Sequence, residues 1–101
     1  MSNCRVEKRV WKDRGKQSDY TCLYYELDVG APPQRGAQLR HGRWFSGPLT
    51  FVIWNVDDRQ FKCRVADEVP GADHDYDYSH DFLVQNALHE GWKICESWGF
   101  G

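Results

Sequence analysis

Much of what marks a protein's trade is missing from this chain. No stretch approaches the roughly 18 consecutive apolar residues that a membrane-spanning helix needs, and the first ten residues, MSNCRVEKRV, lack the apolar run of a secretory signal. There is no Gly-rich phosphate loop after a strand, no His-Glu-x-x-His and no Gly-x-Ser-x-Gly. No spacing pairs His41, His74, His80 or His89 with a nucleophile, so a non-enzymatic protein without a cofactor is expected. The four cysteines, Cys4, Cys22, Cys63 and Cys95, show neither Cys-x-x-Cys nor a Cys/His metal spacing. Each falls in an expected strand, where cysteine packs as a small hydrophobe. Four cysteines allow three disulfide pairings, none favoured by spacing; reduced thiols and a cytoplasmic location are the default expectation.

What is present is an ordinary globular composition, 28% charged and 15% aromatic over 101 residues, which suits one domain spanning 1–101. Five tryptophans are a heavy load for that length, and most are expected in the core of a small domain. The net charge of −2 hides an asymmetry. Residues 1–65 carry 12 Lys or Arg against 7 Asp or Glu, whereas residues 66–101 carry 1 against 8. Such halves attract each other within a fold, or leave one basic and one acidic face.

The organising stretch is Leu49–Val69, LTFVIWNVDDRQFKCRVADEV. Leu49, Phe51 and Ile53 lie on one side of an extended chain, and Val52, Trp54 and Val56 on the other, the mark of a strand covered on both faces. Residues 61–69 alternate, Phe61, Cys63, Val65 and Val69 against Lys62, Arg64 and Glu68, as in a strand with one wet face. Asp57-Asp58-Arg59-Gln60 supplies the turn, so the two strands are antiparallel neighbours.

Residues 4–13 read as a strand whose charge suits a sheet edge. Residues 20–29 form another, with Thr21, Leu23, Tyr25, Leu27 and Val29 toward the core. Pro32, Pro33 and several glycines make 30–48 a long loop, with room for a short strand around Ala37–Phe45. After a second loop at 70–79, Ser79 is a helix N-cap, Asp81 suits the first turn, and Leu83, Val84, Ala87 and Leu88 form the apolar stripe. Gly91 ends the helix, and 92–98 return as a strand carrying Trp92, Ile94 and Trp98 on one side. The order β-β-(β)-β-β-α-β predicts an α+β domain: a mostly antiparallel sheet of four to five strands with one helix, near the C-terminus, packed on one face.

The succession of Leu88, Glu90, Gly91 and Trp92, a helix end followed by a Trp-led strand, resembles the close of a class of small uncharacterised domains in which helix, Glu-Gly-Trp and strand recur. The resemblance implies no function.

Two loops carry candidate chemistry. Asp73, Asp75, Tyr76, Asp77, Tyr78 and Asp81 form an anionic surface with aromatic anchors, suited to a Lys/Arg-rich groove on another protein. That is the preferred reading: a binding or inhibitor protein, of a size and charge pattern that fits products of phages and other mobile elements, with a second copy of itself as a further candidate partner. The same loop, with carboxylates at Asp73, Asp75 and Asp77, then Ser79 and Asp81 at the same alternate spacing, also follows the rhythm of a calcium loop. Tyr78 stands where the EF-hand version needs Gly, and Val84 where it needs a bidentate Glu. His74 and His80 extend that alternative to transition metals. The other loop, 34–45, sets Arg35, Arg40 and Arg43 beside Trp44 and Phe45, cations for phosphates and rings for bases, which makes a nucleic-acid-binding module the second alternative. A pI near 6.0 weighs against it.

Overall fold

In a computed structural model of the chain, residues 2–17, 19–72, 77–96 and 98–100 are described. The strands are β1 (Ser2–Trp11), β2 (Tyr20–Val29), β3 (Gln38–His41), β4 (Trp44–Asn55), β5 (Gln60–Val65), β6 (Gly71–Ala72), β7 (Asp77–Tyr78) and β8 (Lys93–Ile94), with the helix α1 (His80–Glu90) between β7 and β8. Six of them form one sheet in the order β3-β4-β5-β1-β2-β8, and β6 and β7 pair separately. The α+β class is as expected. The sheet is larger than four to five strands and is mixed, because β5 runs parallel to β1, with Val6 opposite Cys63. The other neighbouring pairs are antiparallel.

The parallel pair overturns one expectation. β1 is not an edge strand; it lies between β5 and β2. Its charges are tolerated there because each meets a counter-charge or a hydrogen-bond donor, which is what a buried ion requires. The Glu7 carboxylate, only 1% exposed, accepts from the Gly99 backbone N–H at 3.2 Å. Lys8 lies 3.5 Å from Glu68 with its ammonium 4.5 Å from the Trp92 ring centroid. Arg9 grips Asp67 with two hydrogen bonds of 3.1 and 2.9 Å.

One face of the sheet makes the core. Cys4, Val6, Val10, Leu23, Leu49, Cys63 and Val65 meet Val84 and Ala87 of α1, with Trp44 and Trp92 between sheet and helix. Trp44 stacks on Tyr25 at 4.1 Å and meets Trp92 edge-on at 5.3 Å. The helix ends as the sequence predicts: the Ser79 hydroxyl accepts from Phe82 N–H, and Gly91 takes φ 122°, a conformation that favours glycine.

The hairpin of β4 and β5 is where it was expected, with the turn at Val56–Arg59 and Trp54 opposite Phe61. Its first strand differs in two ways. It begins at Trp44 rather than Leu49: Gly47, at φ 77°, lets the chain pass Pro48 while staying paired with β3, with Gln38 opposite Pro48. It is also not covered on both faces: Phe51, Ile53 and Trp54 are each almost half exposed. β3 is only four residues long and leaves the far part of β4 without an outer neighbour among the described residues.

The final strand is shorter than 92–98. β8 holds two residues, opposite Leu23 and Tyr24 of β2, and the chain then leaves the sheet. A disulfide joins Cys95 to Cys22, so the expectation of reduced thiols fails for that pair; Cys4 and Cys63 are free and buried. Trp98 and Phe100 fold over the face opposite the helix, where Trp98 meets Tyr20 and Phe100 meets Phe51. Trp92, Ile94 and Trp98 therefore do not share a side.

Candidate docking surfaces

The acidic segment sits at the base of α1. β6 and β7 form a two-residue ladder, Gly71 opposite Tyr78 and Ala72 opposite Asp77. Asp73, His74, Asp75 and Tyr76, which join these strands in sequence, lie outside the described residues, as does the side chain of Asp77. The Tyr78 ring lies 5.5 Å from that of Phe82, itself half exposed. Asp81 projects into solvent, its side chain 95% accessible, with His80 Nδ1 3.1 Å away. Phe82 was not among the expected contact residues. Its signal was an apolar side chain one position off the stripe of Leu83, Val84, Ala87 and Leu88.

The calcium rhythm is broken at two of its positions. The Ser79 oxygen caps the helix, and Asp81 is already in the first turn of α1 rather than in a loop. His80 uses both ring nitrogens within the fold, with Nε2 2.8 Å from the Thr21 hydroxyl and Nδ1 against Asp81. Among the described residues, no group of three or more His, Cys, Asp or Glu side chains is arranged to hold a metal ion.

The basic segment is a hairpin, β3 and β4 joined through Gly42 and Arg43. Arg35, Arg40 and Arg43 are exposed, and none lies within ion-pair distance of a described carboxylate. Trp44 is a correction. It is 1% exposed and fills the core under α1, so it is not available to stack a base. The alternation along β4 turns Trp44 inward and Phe45 outward, where Arg40 sits 5.5 Å from its ring. His41 Nδ1 lies 2.6 Å from the Tyr25 hydroxyl, which ties the hairpin to β2.

The sheet face opposite the helix also mixes cations and rings. Arg5 lies 3.9 Å from the Tyr24 ring centroid, and Arg9 stands among Trp11, Tyr20 and Trp98. These charges are largely spent internally. Asp67, its side chain 7% exposed, receives Arg9, the Trp11 indole N–H at 3.0 Å, Lys16 at 3.8 Å and Arg64 at 3.9 Å. Burial pushes the Asp67 carboxyl up, but the bonds from Arg9 and Trp11 and the charges of Arg9 and Lys16 outweigh it and hold it below the usual carboxylate range. Lys62 pairs with Asp58 at 3.0 Å, and Arg5 lies 3.7 Å from Glu26.

Two clefts adjoin these surfaces. One of about 280 Å³ opens where β4 diverges from β5, with Lys8, Ser46, Thr50 and Glu68 in its wall. Its cation is the one that Glu68 and Trp92 already engage. The other, about 400 Å³ and shallow, lies between Arg5, Tyr24 and Glu96. No helix among the described residues is long and apolar enough to cross a membrane.

No family model, no curated protein and no solved structure matches the chain. The likeness at Glu90-Gly91-Trp92 is thus local: a helix stop followed by a buried tryptophan.

Proposed function

We propose that this is a non-enzymatic binding protein that docks on a cationic surface of another protein through residues 71–82, in the manner of an inhibitor. The supporting observation is the pairing of Tyr78 with half-exposed Phe82 beside solvent-directed Asp81, at the foot of a hairpin that stands apart from the main sheet. Rings supply contact area at low entropic cost and carboxylates steer a basic partner; together they make an anchor with a charged rim. Asp73, Asp75, Tyr76 and Asp77 would extend that rim. The test is capture from nuclease-treated source lysate by the whole protein and by the Asp75→Asn/Asp77→Asn/Asp81→Asn variant. A stoichiometric protein held by the first and released by the second supports docking. Equal capture by both sinks it.

A second reading is favoured by one observation, the three arginines Arg35, Arg40 and Arg43 exposed on one hairpin segment without a described carboxylate partner. They would hold the phosphates of a single-stranded nucleic acid, with Phe45 in place of Trp44 as the ring that meets a base. Affinity for an oligonucleotide should then fall steeply with salt. Each Arg→Gln change should lower the slope of log K against log salt by about 0.7. A flat salt response removes this reading.

A further inference from the structure

We propose that the open edge of β4 is a self-association surface, on which Phe51–Asn55 pairs antiparallel with the same five residues of a second copy of the chain. β3 protects β4 only as far as Leu49, whose N–H reaches Ala37 O at 2.9 Å and whose carbonyl accepts from Gly36 N–H at 2.7 Å. From Thr50 onward, the edge turned away from β5 has no backbone partner among the described residues. The stretch Thr-Phe-Val-Ile-Trp-Asn-Val holds no charge and no proline, two of the devices with which proteins blunt a free edge, and the register shift between Leu49 and Phe51 lies at its very start, leaving the residues after it regular. Phe51, Ile53, Trp54 and Val56 are 45%, 47%, 44% and 72% exposed, although β-branched and aromatic side chains of this kind favour a covered sheet.

The occupant is identified by register. A two-fold axis through Ile53 places Val52 opposite Trp54 of the second copy and Trp54 opposite its Val52 on the helix side. Ile53 meets Ile53 on the other side. Aromatic and β-branched residues are favourable cross-strand partners, and a two-fold operation makes each contact twice. The two ends of the open edge select this register. Moving the axis to Val52 drives one copy into β3 of the other; moving it to Trp54 sets Asp57 against Phe51. Centred on Ile53, the exposed turn residue Asp57 arrives at Leu49 of the second copy, where β3 starts and exposed Arg35 stands next to Gly36. The uncharged centre is thus flanked at both ends by an Asp facing an Arg. A pairing of one short strand edge is smaller than the roughly 1,200–2,000 Å² of standard specific interfaces, so the association should be concentration-dependent. The acidic residues 71–82 take no part, and failure here leaves the docking proposal standing.

Sedimentation velocity of the full chain over a rising concentration series tests this. A monomer–dimer equilibrium is expected. Ile53→Arg, which sets two like charges on the axis, should weaken it at least about tenfold while leaving the melting curve in place. Asp57→Arg should also weaken it, and Asp57→Arg combined with Arg35→Asp should restore it. A chain that stays monomeric at its highest soluble concentration, a dimer that Ile53→Arg leaves intact, or a charge swap that fails to restore pairing overturns the proposal.

Discussion

At Asp67 one carboxylate serves Arg9, Trp11, Lys16 and Arg64, and it closes the crossing from β5 back over β1. Asp67→Asn should cost about 2–4 kcal/mol, measured by urea unfolding at neutral pH, because it strands a half-buried guanidinium; partial solvation of Arg9 and Lys16 keeps the loss below that of a sealed pair. The pH dependence has a definite sign. The folded-state pKa lies below the unfolded one, so the unfolded chain takes up the proton first. Asp67 therefore contributes in full above the unfolded value of about 3.9, and its contribution fades as pH falls through the lower folded value. Asp67→Asn should flatten that part of the acid limb of a stability profile. Trp44 makes a different kind of prediction: Trp44→Ala should cost about 3–5 kcal/mol through lost contacts and a cavity between Tyr25 and Trp92. An effect on nucleic-acid affinity without an effect on melting would contradict its place in the core. The thiols of Cys4 and Cys63 lie 3.6 Å apart in that core. The contact with Cys4, then burial, pushes Cys63 up and keeps it protonated. Labelling of Cys63 by iodoacetamide should proceed only as fast as the core opens.

Elements whose signals are local were legible in the sequence. α1 carries its own stop and start residues, so Ser79 and Gly91 marked both ends, and Ser79→Ala should lower thermal stability by about 1 kcal/mol. β2 and the β4–β5 turn were likewise announced by alternation and turn chemistry. What was not legible depends on residues far away in sequence. β1 looks like an edge because its charges are visible, whereas Asp67, Glu68 and Gly99, which satisfy them, stand some sixty to ninety positions later. β4 looks covered because both sides are apolar, yet β3 begins only at Gln38, opposite Pro48, so the part of β4 beyond Leu49 has no outer strand among the described residues and its side chains stay half exposed. Trp44 was misread for a related reason: set between arginines it resembles a stacking platform, and only the β3–β4 pairing shows that its side of the strand faces α1. Of the docking residues, Tyr78 meets Phe82 and Asp81 meets His80, while Asp73, Asp75 and Tyr76 lie outside what is described.

Across the whole molecule, the charge asymmetry is used at least in part for internal attraction. Lys8 with Glu68, and Arg9, Lys16 and Arg64 with Asp67, all join the basic first part of the chain to the acidic last part. Raised salt should therefore lower stability modestly, with the buried Arg9–Asp67 pair screened least. The Cys22–Cys95 disulfide is the other long-range tie. It spans 73 positions, and reduction should cost about 4 kcal/mol on loop entropy alone. Melting with and without reductant gives the value, and a Cys22→Ser/Cys95→Ser variant should match the reduced protein. An unchanged melting temperature would mean that β8 and the segment after it are held by packing.

The position of β1 has a consequence for how the chain is made. The strand at the middle of the sheet leaves the ribosome before the five strands it is assembled with. β2 follows at once and closes one side of it as a hairpin, but the other side must wait for β5, more than fifty residues downstream. At ordinary translation speeds that wait is about 3–10 s. Through that interval the nascent chain presents a half-built sheet, with the carboxylate of Glu7 still lacking Gly99 and the guanidinium of Arg9 still lacking Asp67. During synthesis, the charges of Arg5, Glu7 and Arg9 on that face of β1 should keep it hydrated until the later partners arrive.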